Sequence, residues 1–487
     1  MNRLNGAVLH DDTLRKFQTS DYSRDLPCKV VHIGVGAFHR AHQALYFDQM
    51  NEILASTSED PWMIQGVSLR TDTALHQLNP QDGLFLHVAR GHQGTSERIV
   101  RSIKSVIHAG RDPEALIELI AASVTQLVTL TITEKGYGLD VGSNELNTLD
   151  AAVSADLDSL LEPQTAIGFL VAGLRRRRAM EHGPLTILSC DNLSNNGHQC
   201  RHAVLSLARH HDLALAAWIE ESVSFPCSMV DRIAPAVTGE DLVWVESHLG
   251  CRDQAVSITE RFSQWVIEDN FKGERPPLDR VGVEYSRDVT EWEHRKLRLL
   301  NAAHSAMAYM GGLLEYEYVH EAVEDAVIGS LVRDIWQEAR MTLDDADPSV
   351  LDGYCQSLIT RFKNPHLNHR LFQIAMDGSQ KLPQRVLAPL RERLIEGQAS
   401  PALTQVVAAW LFWQWGRTFS GKSFDVQDPA ALRFGQIVSQ SRGHLEAYNR
   451  LTLEFKPISD VVSVHPRWGE DLCKAFMDIA GISRSIA

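Results

Sequence analysis

Residues 28–41 read CKVVHIGVGAFHRA. A Val/Ile-rich strand pattern, Cys28–Gly34, runs into Gly34-x-Gly36 and then into a helical stretch, Arg40–Ile53. β-branched residues fit a buried, pleated strand, and glycines allow both a tight turn and close approach of the backbone to a ligand. A helix beginning there aims unpaired N–H groups and its positive dipole end at the turn, the arrangement that cradles a pyrophosphate. The usual third glycine is absent, and His39 stands in its place. GxG after a strand is also an ordinary turn. The strand–turn–helix context is what favours dinucleotide binding, with Gly34, Gly36, Phe38, His39 and Arg40 as candidate cofactor contacts.

Reading outward, the same alternation continues. Trp62–Leu69 (WMIQGVSL), Gln126–Thr133 (QLVTLTIT) and Leu185–Cys190 (LTILSC) are strand patterns, and Asp112–Ser123 and Ala166–Met180 are helical ones. Val-, Ile- and Thr-rich strands alternating with helices predict a parallel sheet covered on both faces. From about residue 290 strand patterns become scarce, and 292–313, 320–342 and 402–415 have helical spacing and strong helix formers. The predicted class is α/β plus all-α: an N-terminal Rossmann-type parallel-sheet domain over residues 1–286 and a mostly helical domain over residues 287–487. Arg175–Arg178 reads as a solvated basic face complementing a helix dipole, with a phosphate site as the alternative.

Composition narrows the function classes. The chain has 487 residues and a net charge of -15, so no overall field draws it to nucleic acid or to an anionic membrane. No apolar run is long enough to span a bilayer. The opening MNRLNGAVLHDDTLRKF lacks the apolar core of a signal peptide, and seven scattered cysteines form neither a disulfide framework nor a CxxC pair. A cytoplasmic protein, monomeric or a small homo-oligomer, acting on a small molecule is the expectation. His32, His39 and His42 cluster near the glycines, but no HExxH or Cys/His ladder accompanies them, so no metal is expected.

Three polar groupings carry candidate chemistry. Asp72, just past the second strand, is placed to hold ribose hydroxyls of NAD, while Arg70 would instead accept a 2′-phosphate and a helix N-cap is the plain alternative. In Glu293–Tyr309 (EHRKLRLLNAAHSAMAY), Lys296, Asn301 and His304 fall at 0°, about 140° and about 80° around an α-helix. That set suits a buried lysine acting as a base, with amide and imidazole stabilising an alkoxide; a solvated Lys, a capping Asn and a core His are the ordinary reading. After the Leu185–Cys190 strand, Asn192 lies where open α/β sheets bind ligands, although asparagines also simply make turns.

Together GVGAFHRAHQ (34–43), TITEKGY (131–137), SCDNLSNNGH (189–198), FPCSMVDRI (225–233), KLRLLNAAHSAMAY (296–309) and DGSQKLPQR (377–385) resemble the long-chain mannitol-dehydrogenase family of polyol and sugar-acid dehydrogenases. The resemblance implies a Rossmann-type domain, a helical domain, a site between them, and zinc-independent NAD(P) chemistry. It implies Lys296 as general base, Asn192 and Asn301 as oxyanion-stabilising amides, His304 as a substrate-orienting residue and Glu293 as a proton relay. It further implies Asp231 and Lys381 in the substrate pocket and Asp72 as the NAD-selecting acid. The family commonly has Asn-Gly-Ser-His where this chain has Asn301-Ala302-Ala303-His304. Lys135, NNGH, QWVIEDNF (264–271), NPHLNHR (364–370) and QIAMDGSQKLPQR (373–385) look like the fructuronate reductase (mannonate oxidoreductase) branch. That branch implies a cation for a carboxylate, with Arg370, Lys381 and Arg385 as candidates. A neutral polyol such as mannitol or arabinitol is the alternative substrate, and a non-catalytic NAD- or sugar-binding regulator is a third reading.

Overall fold

Strand β1, Cys28–Ile33, lies at the middle of a sheet and is buried on both faces along its second half. Its neighbours are β2, Met63–Ser68, and β4, Leu127–Leu130; Ile33 is paired with Val67 on one side and Leu130 on the other. With β3 (Ile103–His108), β5 (Leu185–Ser189) and β6 (Val223–Ser224), the computed structural model forms a six-stranded parallel sheet of order β3-β2-β1-β4-β5-β6. The order reverses between β1 and β4, and a crevice opens there at the carboxyl ends, where doubly wound sheets take ligands. The structure describes residues 2–10, 14–17, 22–140, 145–343 and 347–486. These fall into two units, Met1–Thr290 and Glu291–Ala487.

In the first unit alternate strand residues feed two cores. Val31, Ile33, Val128, Leu130, Leu185 and Ile187 pack beneath helices Pro113–Ala121, Ala166–Ala179 and Asn196–His211. Val30, Ile64, Val106, Leu127 and Leu188 pack on the other side with Phe47 and Met50 of helix Gln43–Ser56 and with Trp265. Burial on both faces is why these strands read as near-continuous apolar runs. Two three-stranded sheets, one of Phe85–Gly91, Gly94–Val100 and Ser257–Glu260 and one of Ser228–Asp231, Gln264–Glu268 and Glu284–Ser286, complete the unit. The last of these strands ends at Ser286, shortly before the first unit ends at Thr290.

The second unit is helical around one core. Helix Pro401–Trp413 is apolar on nearly every side and buried along almost its whole length, as an all-round apolar helix must be. The stretch expected as one helix over 320–342 is two, Val319–Glu324 and Ala326–Ala339, because Asp325 breaks the first and caps the second by accepting from Val327 and Ile328 N–H. The stretch expected over 292–313 is helical but not uniformly α. Lys296–Asn301 and Met307–Gly311 are π-turns flanking the α-turn Ala302–Ala306. Among the described residues no helix is long and apolar enough to cross a membrane.

The basic run Arg175–Arg178 needs correction. Arg176 and Arg178 do form surface pairs, with Glu114 and Asp212. Arg177 is instead buried, and its guanidinium donates to the carbonyls of Ile120, Ala122, Gly183 and Pro184. It ties the end of helix Pro113–Ala121 to the turn entering β5. Truncation leaves four carbonyls short of a partner. Arg177→Ala is expected to lower unfolding free energy by about 2–4 kcal/mol in urea titrations, while Arg176→Ala stays within about 0.5 kcal/mol.

Candidate active site

The glycine turn is built as a close approach. Gly34 has φ +99°, and a Cβ there would lie 2.1 Å from the carbonyl oxygen of Thr131, so only glycine fits. Its N–H donates to Val67 O, and its own carbonyl accepts from the Thr131 hydroxyl at 2.7 Å. The turn is thereby stitched to both neighbours of β1. A Cβ on Gly36 would touch only Gly34 O, at 3.7 Å, so the space beside it is open. Gly36 precedes the helical turn Ala37–Ala41 and supplies no side-chain cap to it. Gly34–Gly36, Ser68–Thr71, Ile132, Thr133, Lys135 and Gly136 line a cleft of about 360 Å³. An uncapped first turn, an open glycine and two cationic side chains, Arg70 and Lys135, make a cradle suited to a pyrophosphate-bearing dinucleotide.

His39 explains the missing third glycine. Its ring stacks on His32 with centroids 3.4 Å apart, and both side chains are fully buried. His32 in turn contacts the Thr129 and Thr131 hydroxyls at 2.8 and 3.0 Å. Helix and strand are held together by this ring pair rather than by close contact at a glycine. Burial holds His32 down at about 3 and His39 well below the usual imidazole range, so both are neutral. His39 is therefore not a direct cofactor ligand through its side chain. Arg40 is also turned into the protein, donating to Ala255 O at 3.0 Å and Gly36 O at 3.3 Å. Both act by positioning the turn, a correction to their expected role. Phe38 is half-exposed and stacks near His42. Asp72 sits at the head of helix Thr73–Leu78 without capping it; Arg111 and His108 hold its carboxylate. Arg70 is exposed and lines the cleft.

The loops after β4 and β5 are tied by Asp191, a member of the polar cluster after the Leu185–Cys190 strand to which the sequence assigned no role. Asp191 accepts from Thr133 N–H at 2.8 Å, Ile132 N–H at 3.2 Å and the Tyr137 hydroxyl at 2.6 Å. Burial pushes its carboxyl up to about 6, against the lowering effect of Tyr137, Thr133 and Ile132. Asn192 follows immediately and is exposed. Asn196 then clamps the loop, donating to Asp191 O and Ser228 O and accepting from Ser228 N–H. Asp231 is buried at the end of strand Ser228–Asp231, where its charge acts on Tyr46. The SCDNLSNNGH motif carried the signal for Asp191, but a carboxylate before an asparagine reads as turn chemistry.

In the second unit Lys296, Asn301 and His304 are all buried. The π-turn Lys296–Asn301 changes the expected geometry. Bonds of the i→i+5 kind widen the turn and bring residues five apart to one side, in place of the roughly 140° offset of an α-helix. Within that turn, Leu299 O accepts from the Trp336 indole at 2.9 Å. Asn301 Nδ2 and His304 Nε2 are buried with no hydrogen-bond partner. Burial, reinforced by His369, Arg361, Arg385 and Lys296, holds the His304 imidazole well below its ordinary range, so it is neutral. Glu293, one turn before Lys296, is buried as well.

The expected cations separate. Arg385 is buried on the π-turn Pro383–Leu387, which packs against Lys296–Asn301. Arg361, not anticipated, is buried beside Phe362, whose ring lies 4.9 Å from His304. As a cation in a helix's last turn, it reads from sequence as a dipole partner. Lys381 is half-buried and donates to Met376 O at 2.6 Å. Arg370 is exposed and paired with Glu317 at 3.3 Å, so it is not part of the buried group.

Comparisons with known proteins fit this geometry. Residues 28–280 match the mannitol dehydrogenase Rossmann domain, and residues 288–461 match the mannitol dehydrogenase C-terminal domain. The chain belongs to the mannitol dehydrogenase family. It is 42% identical over 428 residues to D-mannonate oxidoreductase of Escherichia coli (strain K12), covering 87% of each chain. It is 39% identical over 407 residues to mannitol 2-dehydrogenase of Pyrenophora tritici-repentis, covering 82% of this chain and 71% of that one. Mannitol 2-dehydrogenase of Pseudomonas fluorescens, solved as a ternary complex with NAD and D-mannitol, superposes with a TM-score of 0.90 at 31% identity, over 99% of this chain and 98% of that one. This chain is thus a mannitol dehydrogenase family oxidoreductase.

In this family member Asp191 has a folded-state value of about 6 against an unfolded value of 3.8. A carboxyl raised on folding contributes stability that is full below the unfolded value and lost as pH rises through the folded one. The stability of wild type relative to Asp191→Asn is expected to fall by on the order of 3 kcal/mol between about pH 4 and pH 6 and then level off. Urea titrations across that window check it, and a difference that climbs with pH would contradict it.

Proposed function

We propose that the chain is an NAD-dependent secondary-alcohol dehydrogenase that interconverts a keto-uronate and an aldonate, D-fructuronate and D-mannonate being favoured. The observation that carries the reading is the buried group Lys296, Asn301 and His304, with two unpartnered polar atoms, flanked by Arg361 and Arg385. The relationship to D-mannonate oxidoreductase supports the acid substrate. NAD is favoured because the Pseudomonas fluorescens relative binds it and because the Gly34–Gly36 turn suits a pyrophosphate.

In oxidation Lys296 takes the proton of the reacting hydroxyl. The amides of Asn192 and Asn301 donate hydrogen bonds to the alkoxide-like oxygen, and in reduction they polarise the ketone while Lys296 returns the proton. Neutral His304 orients the substrate through Nε2. Glu293 passes the proton between Lys296 and water. Asp231 and Lys381 hold substrate hydroxyls, and Asp72 faces the ribose. NAD, when bound, supplies the hydride chemistry. The protein contributes positioning and fixed dipoles.

Buried guanidinium groups are the natural receptors for a C1 carboxylate, through two parallel hydrogen bonds. A neutral polyol has no carboxylate to offer them. The second reading, a polyol 2-dehydrogenase acting on mannitol or arabinitol, is kept because several relatives are mannitol 2-dehydrogenases.

Two outcomes are expected. Lys296→Ala lowers kcat by roughly a hundredfold or more, as loss of a general base does, while NADH affinity by fluorescence titration changes less than about threefold. Near-normal turnover across pH would remove Lys296 from the proton-transfer role. Arg385→Met and Arg361→Met each lower kcat/KM for D-mannonate by roughly 30-fold or more, the effect of removing one partner from a buried charge pair, and leave the smaller activity on mannitol nearly unchanged. Equal losses on both substrates would make these arginines structural.

A further inference from the structure

Outside the residues assigned above, three potential ligands of different chemistry converge in the first unit. His198, Cys227 and Glu268 each offer one ligand atom, and these atoms lie within 4.8 Å of one another. Three separate elements bring them there for identifiable reasons. Strands Gln264–Glu268 and Ser228–Asp231 are antiparallel, with Ile267 opposite Ser228. The next step pairs Glu268 with Cys227, whose carbonyl accepts from Glu268 N–H at 2.9 Å. Directly opposite residues of an antiparallel pair share a face, so thiol and carboxylate point the same way. His198 lies in the first turn of helix Asn196–His211, which is pressed onto the chain just before Cys227. A Cβ on Gly197 would lie 2.5 Å from the carbonyl oxygens of Phe225 and Pro226.

We propose that His198, Cys227 and Glu268 form a binding site for a thiophilic divalent cation of the zinc class, with a fourth position open to water. Imidazole, thiolate and carboxylate are the three zinc ligand types, and bonds of about 2.0–2.3 Å need ligand atoms roughly 3.3–3.8 Å apart in a tetrahedron. Small side-chain adjustments supply that from the present spacing. One thiolate and one carboxylate balance the ion's two charges. Cys227 is buried and His198 exposed, which gives the ion an inner anchor and an entry path. Binding releases the thiol proton, so affinity falls as pH is lowered.

The position has a consequence for the loop bearing Asn192. Asn196 already clamps Asp191 to Ser228 through its side-chain amide. His198 and Cys227 flank that clamp in the sequence, and an ion bridging them adds a second tie across the same joint. Amide hydrogen exchange over 190–200 is therefore expected to slow when the ion binds, whether or not the substrate assignment above is correct.

Cobalt(II) is the probe, because thiolate ligation gives it a near-ultraviolet charge-transfer absorption. The full-length, metal-stripped protein titrated with cobalt chloride is expected to show that band saturating at one equivalent, and zinc chloride is expected to bleach it. Cys227→Ser abolishes the band, and His198→Gln and Glu268→Gln each weaken cobalt binding at least tenfold. Circular dichroism verifies that the variants are folded; Glu268→Gln, which keeps size and hydrogen bonding, serves if Cys227→Ser is not. Absence of the band in the wild-type protein overturns the site. So does a band that survives Cys227→Ser, since it would come from another of the cysteines, and so does affinity unchanged in both His198→Gln and Glu268→Gln.

Discussion

The second unit is organised around polar groups withheld from water without protein partners to replace it. Asn301 Nδ2 and His304 Nε2 are buried and unsatisfied, in a stretch that also buries Lys296. An unpaired buried donor or acceptor costs about 1–3 kcal/mol, and a buried charge more. Folded chains tolerate such groups where a ligand completes them. The surrounding scaffold is arranged to bear that cost: helix Pro401–Trp413 is apolar on nearly every side, and the Trp336 indole bonds Leu299 O inside the wide turn. A looser scaffold would let the amide and imidazole rotate to water, and their buried arrangement in the stretch that holds Lys296 would be lost.

Much of this was legible in the amino-acid order, and the parts that were not have physical explanations. β1, β2, β4 and β5 announced themselves because strands buried on both faces concentrate Val, Ile and Leu. β3, Ile103–His108, was overlooked because Lys104, Ser105 and His108 dilute the apolar run. The hairpin Phe85–Gly91 and Gly94–Val100 was missed because its second strand opens on the exposed Gly94–Ser96 and continues through Glu97 and Arg98, leaving only Ile99 and Val100 as an apolar signal. Lys296, Asn301 and His304 were found as residue types, but a wheel drawn at 100° per residue misplaced them, since nothing in KLRLLN distinguishes a π-turn from an α-turn. Arg177 and Arg361 share a different reason. A cation in the last turn of a helix usually lies in solvent, and only the three-dimensional path of neighbouring carbonyls or rings turns it inward.

The glycine turn of the first unit shows how a consensus can be departed from without losing its purpose. The third glycine of a dinucleotide fingerprint lets helix and strand approach closely. Here His39 and His32 fill that gap as a stacked, neutral pair, and Arg40 returns to Gly36 O. Neutrality matters at this place. A protonated imidazole stacked on another would repel it and be costly to bury, so the pair serves as rigid packing rather than as a source of positive charge. The positive charge at the cleft comes instead from Arg70 and Lys135, which line it beside the glycine turn.

Neutral His304 admits a related argument about substrate. Arg361, Arg385 and Lys296 all act on it as positive charges. A protonated His304 would be repelled by these cations and costly to bury. Keeping the imidazole uncharged leaves it able to donate to or accept from a sugar hydroxyl. In the proposed function the guanidinium groups are the partners for a substrate carboxylate. An aldonate presents both features in one molecule, a carboxylate at one end and hydroxyls along the chain. A neutral hexitol offers hydroxyls to the imidazole and the amides but no carboxylate to a guanidinium. Under the proposed function, the guanidinium groups beside His304 are thus the feature that separates an aldonate from a hexitol, and they do so by their place in the fold rather than by sequence similarity.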